Sequence, residues 1–190
     1  MTMRKFAVGV FALGALLALS GCASADNGNP VSTIDPALIP SAPPANAVQV
    51  DPANFDDGFG EWIFKVGEGP TWCTISPAID GDNSGGNVIC EQNEAAALYK
   101  PIPIPASCDY SFGYQVRLMG VPGAVEGTDT ASFTCASGFY ADPSEAPILA
   151  AGQRITVAPF KCFVEDVNVR CENETGQFIA LGPKVWAVKD

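Results

Sequence analysis

Asp80-Gly81-Asp82-Asn83-Ser84-Gly85 leads to Glu91 at the twelfth position. Oxygen-bearing side chains at positions 1, 3, 5 and 12, with glycine at 6, have the spacing of an EF-hand calcium loop. There a hard divalent cation takes several oxygens from a tightly turning backbone. Asp80, Asp82, Ser84 and Glu91 are therefore the metal-ligand candidates, and calcium is the one cofactor candidate. No other cofactor is expected. Against calcium, no helical pattern flanks the loop, and Asn87 stands where such loops carry an apolar residue. Glu91 also recurs as Glu172 in a second unit that has no such loop. These features favour a solvated hairpin turn. Asp56, Asp57 and Glu61 offer grouped carboxylates, the equipment of glycoside hydrolysis. Asp57-Gly58 is also an ordinary turn dipeptide, and the turn is the better reading. Trp62, Trp72 and Trp186, with Phe55 and Phe59, offer faces for a sugar or a peptide, or else the filling of a β core. The chain has no histidine, which excludes Ser-His-Asp and Cys-His nucleophiles and histidine zinc sites. It has neither Cys-x-x-Cys nor Ser-x-x-Lys, so thioredoxin-like redox chemistry and penicillin-binding serine chemistry lack their motifs. No catalytic residue is assigned.

The start of the chain carries a different chemistry. Arg4 and Lys5 precede an uncharged apolar run from Phe6 to Ala18, closed by Leu19-Ser20-Gly21-Cys22. The run is shorter than the roughly 20 residues of a spanning helix, so residues 1–21 read as an export signal helix. The closing four residues resemble a bacterial lipobox, whose cysteine is acylated and becomes the first residue of the mature chain. Cys22 is the expected lipidation site, and the extracytoplasmic face of the cell membrane the expected location. Ala23-Ser24-Ala25 also fits an ordinary cleavage site, the alternative being a soluble secreted protein cut after Ala25. The net charge of −11 would repel phosphates, so nucleic acid is not an expected partner. The expected partners are the membrane, through the lipid, and a cell-envelope protein or glycan.

The elements that must position these residues follow from periodicity. Residues 22–50 are rich in Pro, Ala, Ser and Asn and read as a semi-extended tether. Residues 51–190 read as a single all-β domain. Tyr110, Phe112, Tyr114, Val116 and Leu118 alternate with smaller or polar residues, the clearest strand in the chain. Further strands are expected over 62–66, 71–76, 87–92, 96–100, 131–136, 153–158, 160–165, 168–173, 177–181 and 185–189. Short strands divided by Pro, Gly, Asn and Asp clusters predict a β-sandwich or small barrel.

An internal echo organises the cysteines. Asn87-Val88-Ile89-Cys90-Glu91 matches Asn168-Val169-Arg170-Cys171-Glu172, and each follows another cysteine-bearing strand, around Cys73 and Cys162. Each unit reads as strand, turn, strand. In the second, a turn at Asp166-Val167 puts Cys162 opposite Cys171 and Val164 opposite Val169 on one face, with Phe163 and Arg170 on the other. Disulfides Cys73–Cys90 and Cys162–Cys171 are predicted, with Cys108–Cys135 by elimination. Six cysteines besides Cys22 suit an exported, disulfide-stapled fold.

The paired cysteine arms ending in Asn-Val-x-Cys-Glu, with Thr175-Gly176-Gln177-Phe178 following, resemble small exported proteins and lipoproteins of actinobacteria. The likeness covers roughly residues 60–100 and 150–185. It implies a Gram-positive cell surface and a disulfide-stapled β domain, and carries over no catalytic residue. The expected function is a non-catalytic, extracytoplasmic binding or interaction domain. The alternative is a carboxylate-based hydrolase of envelope polysaccharide.

Overall fold

A computed structural model describes residues 36–78, 85–123 and 129–190. The signal segment, Cys22, and Asp80, Asp82 and Ser84 of the calcium candidate lie outside the described residues. Twelve strands are described: β1 (Val48–Gln49), β2 (Trp62–Val66), β3 (Thr71–Ser76), β4 (Asn87–Gln92), β5 (Ser111–Met119), β6 (Ala131–Ala136), β7 (Ile148–Leu149), β8 (Gln153–Val157), β9 (Phe160–Glu165), β10 (Asn168–Asn173), β11 (Phe178–Gly182) and β12 (Val185–Lys189). They form a front sheet in the order β6-β5-β4-β3-β2-β7 and a back sheet in the order β1-β8-β9-β10-β11-β12. The two sheets face one another as a sandwich, one of the two architectures that the alternating pattern predicts.

The alternation decides which side chains meet between the sheets. Phe64, Cys73, Ile75, Val88, Cys90, Val116 and Leu118 enter the core from the front, and Ile155, Cys162, Val164, Val169, Cys171, Ile179 and Leu181 from the back; each is fully buried. The three predicted disulfides close. Two of them join directly opposed residues, Cys73 to Cys90 and Cys162 to Cys171. These two stack across the core, with the Sγ atoms of Cys90 and Cys171 4.0 Å apart. Val164 faces Val169 and Phe163 faces Arg170, the register expected from the echo. Its turn requires a left-handed residue, and Asp166 supplies it at φ +58°. Gly67 abuts that turn: a Cβ there would lie 2.5 Å from the Asp166 carbonyl oxygen.

Three local expectations are corrected. Residues 96–100 form no strand. Asn93 caps a 3-10 turn over Glu94–Ala96, its side chain accepting from the Ala95 N–H and competing with extended structure. The alternation in β5 is interrupted between Phe112 and Val116 by a register shift that begins at Gly113, φ +96°. Residues 36–50 of the expected tether lie against the domain. Leu38 and Pro40 offer their carbonyls to the Asn168 amide and the Arg170 guanidinium on the outer face of β10. β1 then pairs in parallel with β8, and Val50 packs on the core. Proline- and alanine-rich composition did not prevent docking, because backbone carbonyls found side-chain donors.

Candidate functional site

Topology makes the site. β6 and β7 lie at opposite edges of the front sheet. The chain between them, residues 137–147, must therefore cross the sheet's outer face. That strap has no regular hydrogen-bonding partner of its own, so its backbone donors need acceptors from the sheet beneath. Glu91, on the central strand β4, supplies them. Its register partners on the same face are Trp72 of β3 and Gln115 of β5. Glu91 Oε1 accepts from Gln115 Nε2 (2.6 Å) and from the Tyr140 N–H (2.7 Å). Oε2 accepts from Trp72 Nε1 (3.1 Å) and the Ala141 N–H (3.3 Å). Four donors fill the acceptor sites of one carboxylate, and the residue is 1% exposed. Gln115 completes the row by accepting from the Thr134 hydroxyl.

Glu61 makes a second anchorage. Its Oε1 accepts from Ser76 Oγ (2.6 Å) and from Tyr140 OH (2.9 Å). The Ser76 hydrogen bond pulls the Tyr140 phenol downward. Burial and the negative charges of Glu61 and Glu91 outweigh it, and Tyr140 titrates above the ordinary tyrosine value. Burial, then the charge and hydrogen bond of Glu94, likewise raise Tyr114.

Between strap and sheet a cleft of about 200 Å³ opens, lined among others by Glu94, Ser111, Tyr114, Gln115 and Phe139. A second, more open cleft shares Asn93 and Phe139 with it and continues along Trp72, Tyr140 and Asp142. Phe139 stands between the two. Its ring meets Trp72 edge to face, with centroids 4.9 Å apart, and is 59% exposed. A third cleft, of about 230 Å³, runs beside the strap and is lined by Asp56, Asp57, Asp142 and Glu145 with Ile63 and Pro147.

The sequence candidates are thus scattered. Glu91 holds the strap with both oxygens, so the twelfth-position ligand expected of a calcium loop is already engaged by four other donors. Of the acidic group, Asp56 and Asp57 fold their own turn, accepting from the N–H groups of Gly58, Phe59 and Glu61, while Glu61 reaches the strap. Among the aromatics, Phe55 and Trp186 are core residues, Trp62 is half-buried against the core, and Phe59 is 93% exposed on a turn. Only Trp72 belongs to the cleft. The strap residues Phe139 and Tyr140 and the rim residues Asn93, Glu94 and Tyr114 escaped sequence reading. The available signal was Gly138-Phe139-Tyr140, two adjacent aromatics in a stretch with no strand alternation. Among the described residues, one group has metal-ligand spacing, the sulfurs of Cys73, Cys90 and Cys171, all in disulfides. No helix among the described residues is long and apolar enough to cross a membrane. No protein-family model, curated protein or solved structure matches the chain.

Proposed function

We propose that this chain is a lipid-anchored extracytoplasmic binding protein of the Gram-positive surface, and that its ligand occupies the cleft between the strap and the front sheet. The observation that carries this reading is the strap itself, pinned by Glu91 so that an exposed Phe139 stands preformed over an open groove lined by Asn93, Glu94 and Tyr114. Ligand sites combine such apolar surface with a few placed polar groups. Glycoside hydrolysis needs two carboxyl groups free to face one bond. The Glu91 carboxylate has four donors and Glu61 Oε1 has two, which favours a structural role for them. Three disulfides suit an oxidising compartment.

The geometry also fits an anchor at Cys22. Residues 36–40 lie on the outer face of the back sheet, opposite the strap. The described part of the chain therefore begins on the side away from the cleft. Residues 23–35, at roughly 3 Å each when extended, would let the domain stand up to about 40 Å from the lipid.

The test is cross-linking capture on intact cells with the native chain, Cys22→Ala and Phe139→Ala. The expected result is one recurrent envelope component, recovered with the native chain and lost with each variant. Capture indifferent to Phe139→Ala would remove the cleft from the reading. Labelled palmitate on the Cys22→Ala chain would remove Cys22 as the attachment site, and its absence from the native chain would remove the anchor. Release of new reducing ends from wall polysaccharide by the purified protein would replace binding with hydrolysis.

A further inference from the structure

The back sheet shows what the cleft is missing. There the Arg170 guanidinium lies over the Phe178 ring, 3.9 Å from its centroid, and pairs with Glu172 at 3.4 Å. Cation, aromatic face and carboxylate form one unit. The cleft holds two of the three. Phe139 presents an aromatic ring that is more than half exposed. Exposed carboxylates, Glu94 and Asp142, stand in its two openings. Asp142 also lines the neighbouring cleft with Asp56, Asp57 and Glu145. Among the described residues, no lysine or arginine lines any of these three clefts.

Charge and shape then choose among ligands. An anionic polymer would meet carboxylates on both sides and no cation. A neutral glycan could stack on the ring and donate hydroxyls to Glu94 and Asp142, but forms no ion pair with them. A guanidinium or ammonium gains from every group present. It is attracted to the ring face by the quadrupole and to the carboxylates by charge. The groove is open at the surface, so the cation must be carried on something that lies along it. Resting on the binding reading above, we infer that the cleft takes a basic side chain, arginine above all, from an extended polypeptide segment. The segment runs over Phe139, with its cation paired to Glu94 or Asp142. The chain's charge of −11 would also draw such a segment in from a distance.

The test is fluorescence anisotropy with dye-labelled (Gly-Arg)₃-Gly-NH₂. A second peptide carries citrulline, a neutral isostere, at each arginine, and chitotetraose serves as a neutral glycan competitor. Variants are Phe139→Leu and the pair Glu94→Gln with Asp142→Asn, all at exposed positions. Glu174→Gln, on the β10–β11 turn, is the charge control. The arginine peptide is expected to bind at least about tenfold more tightly than the citrulline peptide, a difference of about 1.4 kcal/mol. Phe139→Leu should weaken it about two- to fivefold, and the double variant about tenfold. Glu174→Gln should leave it unchanged. Equal affinity for the two peptides, or displacement by chitotetraose, overturns the cationic ligand while leaving the cleft as the site if Phe139→Leu weakens binding. No binding of the arginine peptide at millimolar concentration also overturns the inference. Binding to any probe that ignores both Phe139→Leu and the double variant overturns the inference and the cleft reading together.

Discussion

Replacing Glu91 by glutamine changes one oxygen to an amide and removes one charge, and the consequence can be worked from four hydrogen bonds. One carbonyl oxygen can still accept from two donors, for instance Gln115 Nε2 and the Tyr140 N–H. The new NH₂ group then faces Trp72 Nε1 and the Ala141 N–H, donors against donors. Flipping the amide exchanges the pairs and cures nothing. Hydrogen bonds to a charged acceptor contribute about 1.5–3 kcal/mol each. Two are lost outright, but the Ala141 N–H is near the surface and regains water. A loss of about 3 kcal/mol is expected for Glu91→Gln, large beside a typical net stability of about 5–15 kcal/mol. Because those bonds fasten the strap, its release should precede global unfolding. Urea denaturation should show a lower midpoint. Brief chymotrypsin treatment should cut after Phe139 or Tyr140 in the variant, well before the native chain is cut. Glu61→Gln keeps a carbonyl acceptor for Ser76 and Tyr140, so it should cost under about 1 kcal/mol. The reasoning is refuted if Glu91→Gln loses less than about 1 kcal/mol and its strap resists the protease as the native strap does.

Three further outcomes follow from the structure. Since Glu91 is engaged by the strap, calcium and chelator should both leave the melting temperature unchanged; a chelator-sensitive melt abolished by Asp80→Ala with Asp82→Ala would restore the calcium loop. Removing Cys162–Cys171, whose cysteines are 9 residues apart, by double alanine substitution should cost about 3 kcal/mol in the urea midpoint from loop entropy; a midpoint within error of the native one would show that the hairpin is held without it. Tyr99, Tyr114 and Tyr140 all titrate above the ordinary tyrosine value, Tyr99 through burial, which outweighs the hydrogen bond from Gln92. Their unfolded forms lose the proton first, so the stabilisation is fully present below about pH 10 and is lost as pH rises toward the folded values. The urea midpoint should fall between pH 9.5 and 11.5, and Tyr99→Phe should make that fall shallower; an unchanged slope would exclude Tyr99 as its source.

The sandwich was legible because period-two alternation is written residue by residue, and because the repeated Asn-Val-x-Cys-Glu strand fixed two cysteine registers at once. What alternation does not encode is how sheet edges are joined. Two-residue strands such as β7 carry no period, so nothing in Ile148-Leu149 announced that the chain had crossed a whole sheet to reach them. Without that crossing, Glu91 looks like a turn-proximal ligand and Phe139 like a surface residue. The same limit hid the docking of residues 36–50, whose contacts are mainly backbone carbonyls, groups that every residue carries.

The echo and the two crossings are one phenomenon. In each unit the second strand begins Asn-Val-x-Cys-Glu, with valine and cysteine in the core and the alternate side chains on the outer face. Both outer faces are crossed by irregular chain, residues 36–40 behind and the strap in front. Backbone entering such a face brings N–H groups or carbonyls that must be satisfied, and the strand's outward residues decide which it can receive. At the back, the variable position is Arg170, a donor, and it meets the carbonyl of Pro40, a residue with no N–H to offer. Its ring and carboxylate partners are filled by the chain itself. At the front the same position is Ile89, which offers nothing polar, and the burden falls on Glu91, an acceptor that meets N–H groups. The cations of the front sheet's outer face, Arg117 beside Ile89 and Lys65 beside Trp72, are not among the residues that line the cleft. The repeat itself brings no cation toward the cleft: its variable position is isoleucine on this side of the sandwich and arginine on the other. Ile89→Arg would add a second guanidinium beside Arg117 on that face and, by charge alone, should weaken the arginine peptide at the cleft.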